Sequence, residues 1–149
     1  MDLRHFYEMP AVITAMTPFP YFVEVDDSAL DTERLMDEHG IHHVPVQENS
    51  RIVGIVSERD LHSLVQRSLP ERDKRRIRAR QILVPDPYVV EVDAPLDEVV
   101  REMARRHIGS AIVVRRGKLA GILSTTDVCR VLAAILAAHF PKDGDNDAA

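Results

Sequence analysis

Residues 54–60 read GIVSERD and residues 121–127 read GILSTTD. Gly, Ile, Ser and Asp recur at the same offsets, and each stretch lies where an apolar run gives way to a helix-forming one. Laying residues 15–65 over 82–132 without gaps gives 15 identities. The densest block sets PFPYFVEVD (18–26) over PDPYVVEVD (85–93), with seven of nine positions the same. Further matches are Arg34/Arg101, Met36/Met103, Ile41/Ile108 and Val46/Val113. An internal repeat of this quality decides the fold before any single element does. The chain is two copies of one unit.

Each copy reads as strand, helix, strand, strand, helix. Tyr21–Val25 and Tyr88–Val92 are rich in β-formers and follow a Pro-x-Pro. The helix that follows is clearest in the second copy, where Leu96, Val99, Val100, Met103 and His107 keep helical spacing. Pro95 falls in its first turn with Asp93 as a candidate cap, and in the first copy Ser28 can cap with Asp31 three residues on. Two short β-branched runs, His42–Gln47 and Arg51–Val56, joined by Glu48-Asn49-Ser50, read as a hairpin. Ser110–Val114 and Lys118–Leu123, joined by Arg115-Arg116-Gly117, repeat it. At about 50–60 residues neither copy buries enough surface to stand comfortably alone. The expected fold is therefore mixed α/β (α+β), with two pseudo-symmetric repeats packed through their sheets.

Ser57 and Asp60, like Ser124 and Asp127, have two good physical readings. Ser-x-x-Asp before an apolar run caps a helix, a contribution of about 1 kcal/mol. Three features favour a site as well. Gly54 and Gly121 interrupt β-runs, as glycine does where something approaches the backbone closely. A strand-to-helix junction turns free N–H groups and the positive helix end toward one point, which suits an anion. A first-turn aspartate can accept hydrogen bonds from a diol, as acidic residues do with ribose. Sugar on the aspartate and phosphate at the helix terminus describe a nucleotide.

The stretches AMTPFPYFVEVD, MDEHGIHHVPV and GIVSERDL, with ILVPDPYVVEVD, MARRHIGSAIVV and GILSTTDV, resemble a tandem pair of cystathionine-β-synthase (CBS) domains, or Bateman module. The resemblance covers about residues 12–136 and is nearest to small stand-alone CBS-pair proteins. It implies a regulatory module that senses AMP, ADP, ATP, NAD(H) or S-adenosylmethionine in the cleft between its repeats. The motif residues would be Ser57 and Asp60 in one copy, Ser124 and Asp127 in the other, with Arg59 and Thr126 beside them toward the phosphate. Adenine would lie against Thr17, Phe22, His42, His43 and Val44 in the first copy. In the second it would lie against Val84, Val89, Gly109, Ser110 and Ala111. A site commonly draws on both copies in this family, so Asp127 would serve the pocket lined by Thr17 and His43. The second copy departs from the pattern where Thr17 becomes Val84 and Pro45 becomes Ile112, so the pocket using Thr17 is expected to bind more tightly. The resemblance further implies a homodimer and an unidentified regulated protein.

Outside the repeats lie an arm (1–14) whose Phe6 and Tyr7 are expected to dock on the core, a basic linker (67–80) and a tail (141–149) with the composition of disorder. The repeats themselves span 15–66 and 81–140. The linker reads as a solvated connection, because its cations are interleaved with Glu71 and Asp73. The helix VCRVLAAILAAHF (128–140) is apolar on more than one face, which points to a subunit contact. Cys129 within it reads as buried filler and excludes an internal disulfide. A net charge of −5 disfavours nucleic acid as a partner. No run reaches membrane-spanning length and the start lacks a signal peptide's pattern, so a cytoplasmic location is expected. His39, His42 and His43 lack a metal motif's spacing. No nucleophile elbow or Walker sequence is present, and the expectation is no catalysis and no metal or required cofactor. The competing reading is a structural interaction or dimerisation module without a small ligand, or, more weakly, a nucleic-acid-binding regulator acting through residues 67–80.

Overall fold

The structure is a computed structural model that describes residues 8–18 and 21–141. Phe6, Tyr7 and all but the first residue of the tail lie outside the described residues. In chain order the strands and helices are β1 (Thr17–Pro18), β2 (Val23–Glu24), α1 (Ala29–His39), β3 (His43–Glu48), β4 (Arg51–Ser57) and α2 (Glu58–Leu64). They continue as α3 (Glu71–Lys74), β5 (Val84–Pro85), β6 (Val89–Glu91), α4 (Leu96–Arg106), β7 (Ser110–Arg115), β8 (Lys118–Ser124) and α5 (Thr125–His139). Each copy has the expected β-α-β-β-α order, preceded by a two-residue strand (β1 or β5) outside that expectation.

The chain divides into two compact units whose limits differ from those of the sequence repeats. One unit holds residues 20–88, with a sheet in the order β2-β3-β4-β5. The other combines residues up to 19 with 89 onward, and its sheet runs β1-β8-β7-β6. In both, a parallel pair linked through a helix (β2 with β3, β6 with β7) is followed by an antiparallel hairpin. A two-residue strand then closes the edge antiparallel, and in each unit it comes from the opening of the other sequence repeat. Equivalent register shifts, at Val46/Gln47 and Val113/Val114, mark the hairpins as copies of one design.

Local chemistry explains the helix limits. Ser28 caps α1 by accepting from the Asp31 amide at 3.1 Å, and Gly40 ends it in the left-handed conformation at φ 61°. The counterpart α4 starts after Pro95 without a side-chain cap, so Asp93 does not fill that role. The residue that caps its C-terminus, His107, adopts φ 55° where the first copy has glycine. Leu96, Val99 and Met103 bury one face of α4. In the 20–88 unit the core gathers Val23, Val25, Met36, Val44, Val46, Val56 and Leu61 under α1 and α2.

The basic segment differs from the expected solvated connection. Lys74 is buried and pairs with Glu33 at 2.6 Å, while Arg34 meets Glu71 and Arg80 meets Asp26. Backbone bonds from Ala29 to Ile77 and from Ala79 to Asp27 fasten the segment to the start of α1. A buried ammonium is stable only when paired, and Glu33 supplies that partner. Cys129 is exposed rather than buried, because Val128, Val131 and Ile135 occupy the inward side of α5. Leu132 and Leu136 on that helix and Phe140 just past its end remain exposed, and an apolar groove of about 630 Å³ runs between Met9, Pro10, α4 and α5. Among the described residues no helix is long and apolar enough to cross a membrane.

Candidate ligand site

The second copy carries the more elaborate strand-to-helix junction. Strand β8 ends at Ser124, whose Oγ accepts from the Asp127 amide at 3.2 Å and donates to Asp127 Oδ2 at 2.6 Å. The Ser124 amide donates to that same oxygen at 2.8 Å, completing a reciprocal capping box. The other oxygen, Oδ1, accepts from Thr17 Oγ1 at 2.9 Å and from Arg130 at 2.8 Å. Asp127 is only 2% exposed. Burial opposes its ionisation, but the bonds from Ser124, Thr17 and Arg130 outweigh that cost and hold its pKa below the ordinary 3.8. Asp127 is an ionised carboxylate with four donors.

The first copy builds the same cap more sparely. Ser57 Oγ accepts from the Asp60 amide at 3.0 Å and donates to Asp60 Oδ2 at 2.5 Å. Among the described residues no donor meets Oδ1, and Asp60 is half-buried. The difference follows from sequence. The position of Thr17 is taken here by Val84, which sits opposite Ile55 on β5 and has no hydroxyl to offer. The position of Arg130 is taken by Ser63, which donates instead to the Asp60 carbonyl. His43 lies opposite Ser57 on β3. Burial first, and His42 second, lower its pKa below 6.5 against the opposing pull of Asp60, so its imidazole is neutral at pH 7.

Both glycines have a structural cause. A Cβ on Gly121 would stand 2.5 Å from the Thr17 carbonyl oxygen and 3.2 Å from Pro18 Cα. On Gly54 it would meet Leu83 Cδ1 at 2.7 Å and the Val84 carbonyl oxygen at 2.8 Å. What approaches the backbone closely at each motif is the closing strand of the sheet.

The remaining candidates divide between the two units. With Asp127 stand Thr17, Val89 on β6, Gly109 just before β7, Ser110 and Ala111 on it, and Thr126. With Asp60 stand Phe22, His42, His43, Val44, Arg59 and Val84. Thr17 therefore shares a unit with Asp127, and His43 with Asp60. The side chains of Val44 and Ala111 are wholly buried in their cores, so only their backbone can face a ligand. Phe22, Val84 and Val89 are exposed apolar groups, which suits contact with a flat base. His42 is engaged with Glu58, and backbone bonds from Glu58 to His42 and from Thr125 to Gly109 fix the two junctions alike. Among the described residues no three of His, Cys, Asp and Glu stand together as metal ligands. Sequence reasoning passed over Arg130. The signal was its spacing, three residues after Asp127 on a helix, where side chains meet.

Comparison with known proteins follows the repeat. The family model for the CBS domain matches residues 12–67 and again 79–134. A zinc metalloprotease of Methanocaldococcus jannaschii is 31% identical over 128 residues, 86% of this chain and 34% of its own length. An inosine-5'-monophosphate dehydrogenase of Korarchaeum cryptofilum is 35% identical over 107 residues, 71% of this chain and 21% of its own length. The chain thus spans about a third and a fifth of these curated relatives. Among solved structures, an acetoin utilization (AcuB) protein of Vibrio cholerae superposes with a TM-score of 0.73 at 27% identity, over 89% of this chain and 96% of that one. The CBS domain of a bacterial CNNM/CorC family Mg2+ transporter, in complex with ATP, superposes at 0.69 and 28% identity, over 83% and 87%. A CBS domain pair in complex with 5'-methylthioadenosine and S-adenosyl-L-methionine reaches 0.74 at 20% identity, over 86% and 99%, a likeness of fold.

Proposed function

The chain belongs to the CBS domain family, as a tandem pair of repeats, and from that premise we propose that it is a regulatory module that binds an adenosine ligand. The observation that carries the proposal is one strand-to-helix junction built twice, each time with an ionisable aspartate at the third helical residue. In this reading Asp60 and Asp127 accept the ribose hydroxyls, and Ser57 and Ser124 hold the carboxylates in place. The exposed Phe22, Val84 and Val89 offer surface to the base, and Arg59 or Thr126 stands toward a phosphate. The ATP complex of the transporter's CBS domain supports the ligand class. AMP, ADP, ATP, NAD(H) and S-adenosylmethionine all carry the required ribose diol. The module senses rather than catalyses, and it passes ligand occupancy to a second protein or to a second copy. A ligand acts only through its different affinity for the alternatives.

Thermal-shift and calorimetric titration with this panel tests the proposal. At least one member should raise Tm, and the combined Asp60→Asn, Asp127→Asn variant should lose the shift. No stabilisation at millimolar concentration by any member, or an unchanged shift in the double variant, rejects it. The capping bonds at Ser57 and Ser124 favour a second reading, an interaction module whose motif only starts helices. That reading predicts that each Asp→Ala change costs about 1 kcal/mol of stability, leaves partner binding unchanged, and that no member of the panel raises Tm.

A further inference from the structure

We propose that Arg130 is a specificity residue: by closing the last lone pair of Asp127 it makes the second-copy site prefer ribose phosphates over uncharged ribosides. The inference rests on the adenosine-binding reading above and concerns the chemistry that reading leaves open. Asp127 Oδ2 is committed to the Ser124 cap, which starts α5 and cannot be surrendered without fraying it. A diol must therefore enter at Oδ1, which already accepts from Thr17 and Arg130. Entry is an exchange, not an addition.

The two occupants of Oδ1 differ in what displacement costs. The Thr17 hydroxyl is a neutral donor on an exposed strand and can turn to water or to the ligand itself. The Arg130 guanidinium gives up a charge-assisted bond to a buried carboxylate, and such bonds are the stronger kind. Its side chain is 69% exposed, so the freed cation is solvated and mobile rather than trapped. An uncharged riboside replaces that ion pair with a neutral hydrogen bond and leaves the cation with nothing. A ribose phosphate brings an anion attached to the same sugar, within the sweep of a long flexible side chain, and so restores the pairing. The first copy lacks the device, since Ser63 holds the equivalent place and points to the Asp60 carbonyl. The closed oxygen distinguishes the two copies more sharply than Thr17 against Val84 suggests, because an occupied acceptor slows entry where an open one does not.

The test uses Asp60→Asn as background, leaving the Asp127 site to be read alone, with AMP and adenosine as the probes in calorimetric titration. Arg130→Ala should tighten adenosine and weaken AMP, narrowing the ratio of the two affinities by about threefold to tenfold. Arg130→Lys should keep part of the preference. An unchanged ratio in Arg130→Ala overturns the proposal, as does weaker binding of both probes alike, which would make Arg130 an ordinary contact. Binding by the native chain that vanishes in the Asp60→Asn background also overturns it while leaving adenosine binding intact. No binding by the native chain rejects the adenosine reading itself.

Discussion

Asp127 and Asp60 occupy equivalent places yet should answer mutation differently. Replacing Asp127 by Asn turns an amide N–H toward donors already present and removes the charge of a buried carboxylate that holds four hydrogen bonds, at a cost of about 2–3 kcal/mol. Asp60→Asn disturbs little beyond the cap and should cost about 1 kcal/mol. Urea unfolding should rank them in that order. The pH response has one sign. Asp127 has a folded pKa below its ordinary 3.8, so its contribution is present above that value and is lost as pH falls through the folded pKa. His43 is also depressed, from 6.5, and being a base it must gain a proton that the folded site disfavours. Its share is complete above pH 6.5 and declines as the solution is acidified below it. Stability followed against pH should fall on acidification from neutrality, and His43→Asn should remove the upper part of the fall.

At the scale of elements, the closing strands carry the most consequence for so few residues. Gly121→Ala places a Cβ against backbone at Thr17 and Pro18, which cannot yield as a side chain tip would. A loss of about 1–3 kcal/mol is expected in urea unfolding, with amide exchange accelerated at Ile122 and Thr17 first. These strands were also the part of the fold least visible in the sequence. Both hairpins, helices α1, α2, α4 and α5 and the caps at Ser28, Ser57 and Ser124 follow from alternation, spacing and turn residues within a dozen positions, whereas α3 fell in the expected linker. Thr17–Pro18 and Val84–Pro85 carry no such local pattern, because their pairing is set by a sheet formed elsewhere in the chain. The glycines were the trace they left. A missing Cβ told that something came close, without telling whether it was ligand or strand. The role of Lys74 was hidden for a similar reason, since its partner Glu33 lies on another helix. The candidate site was legible as residue types, while the fourfold engagement of Asp127 required Thr17 and Arg130 to be seen together.

For the molecule as a whole, Leu132 and Leu136 on α5 and Phe140 just after it are exposed, and on the expectation of a homodimer they are the surface predicted to meet a second copy. Leu132→Glu with Leu136→Glu should convert a dimer to monomer in sedimentation without unfolding it, since both side chains already meet solvent. A monomer in the native chain would remove that part of the proposal. The exchanged strands bear on separability. A gene cut within residues 67–80 would encode two polypeptides, each with a three-stranded sheet and a detached strand belonging to the other. Alone, each would expose an unpaired edge beside a glycine shaped to receive a strand, the situation that invites swapping and aggregation. Produced together they should reassemble. Each sheet thus borrows its last strand from the opening of the other sequence repeat, so neither half is complete without the other.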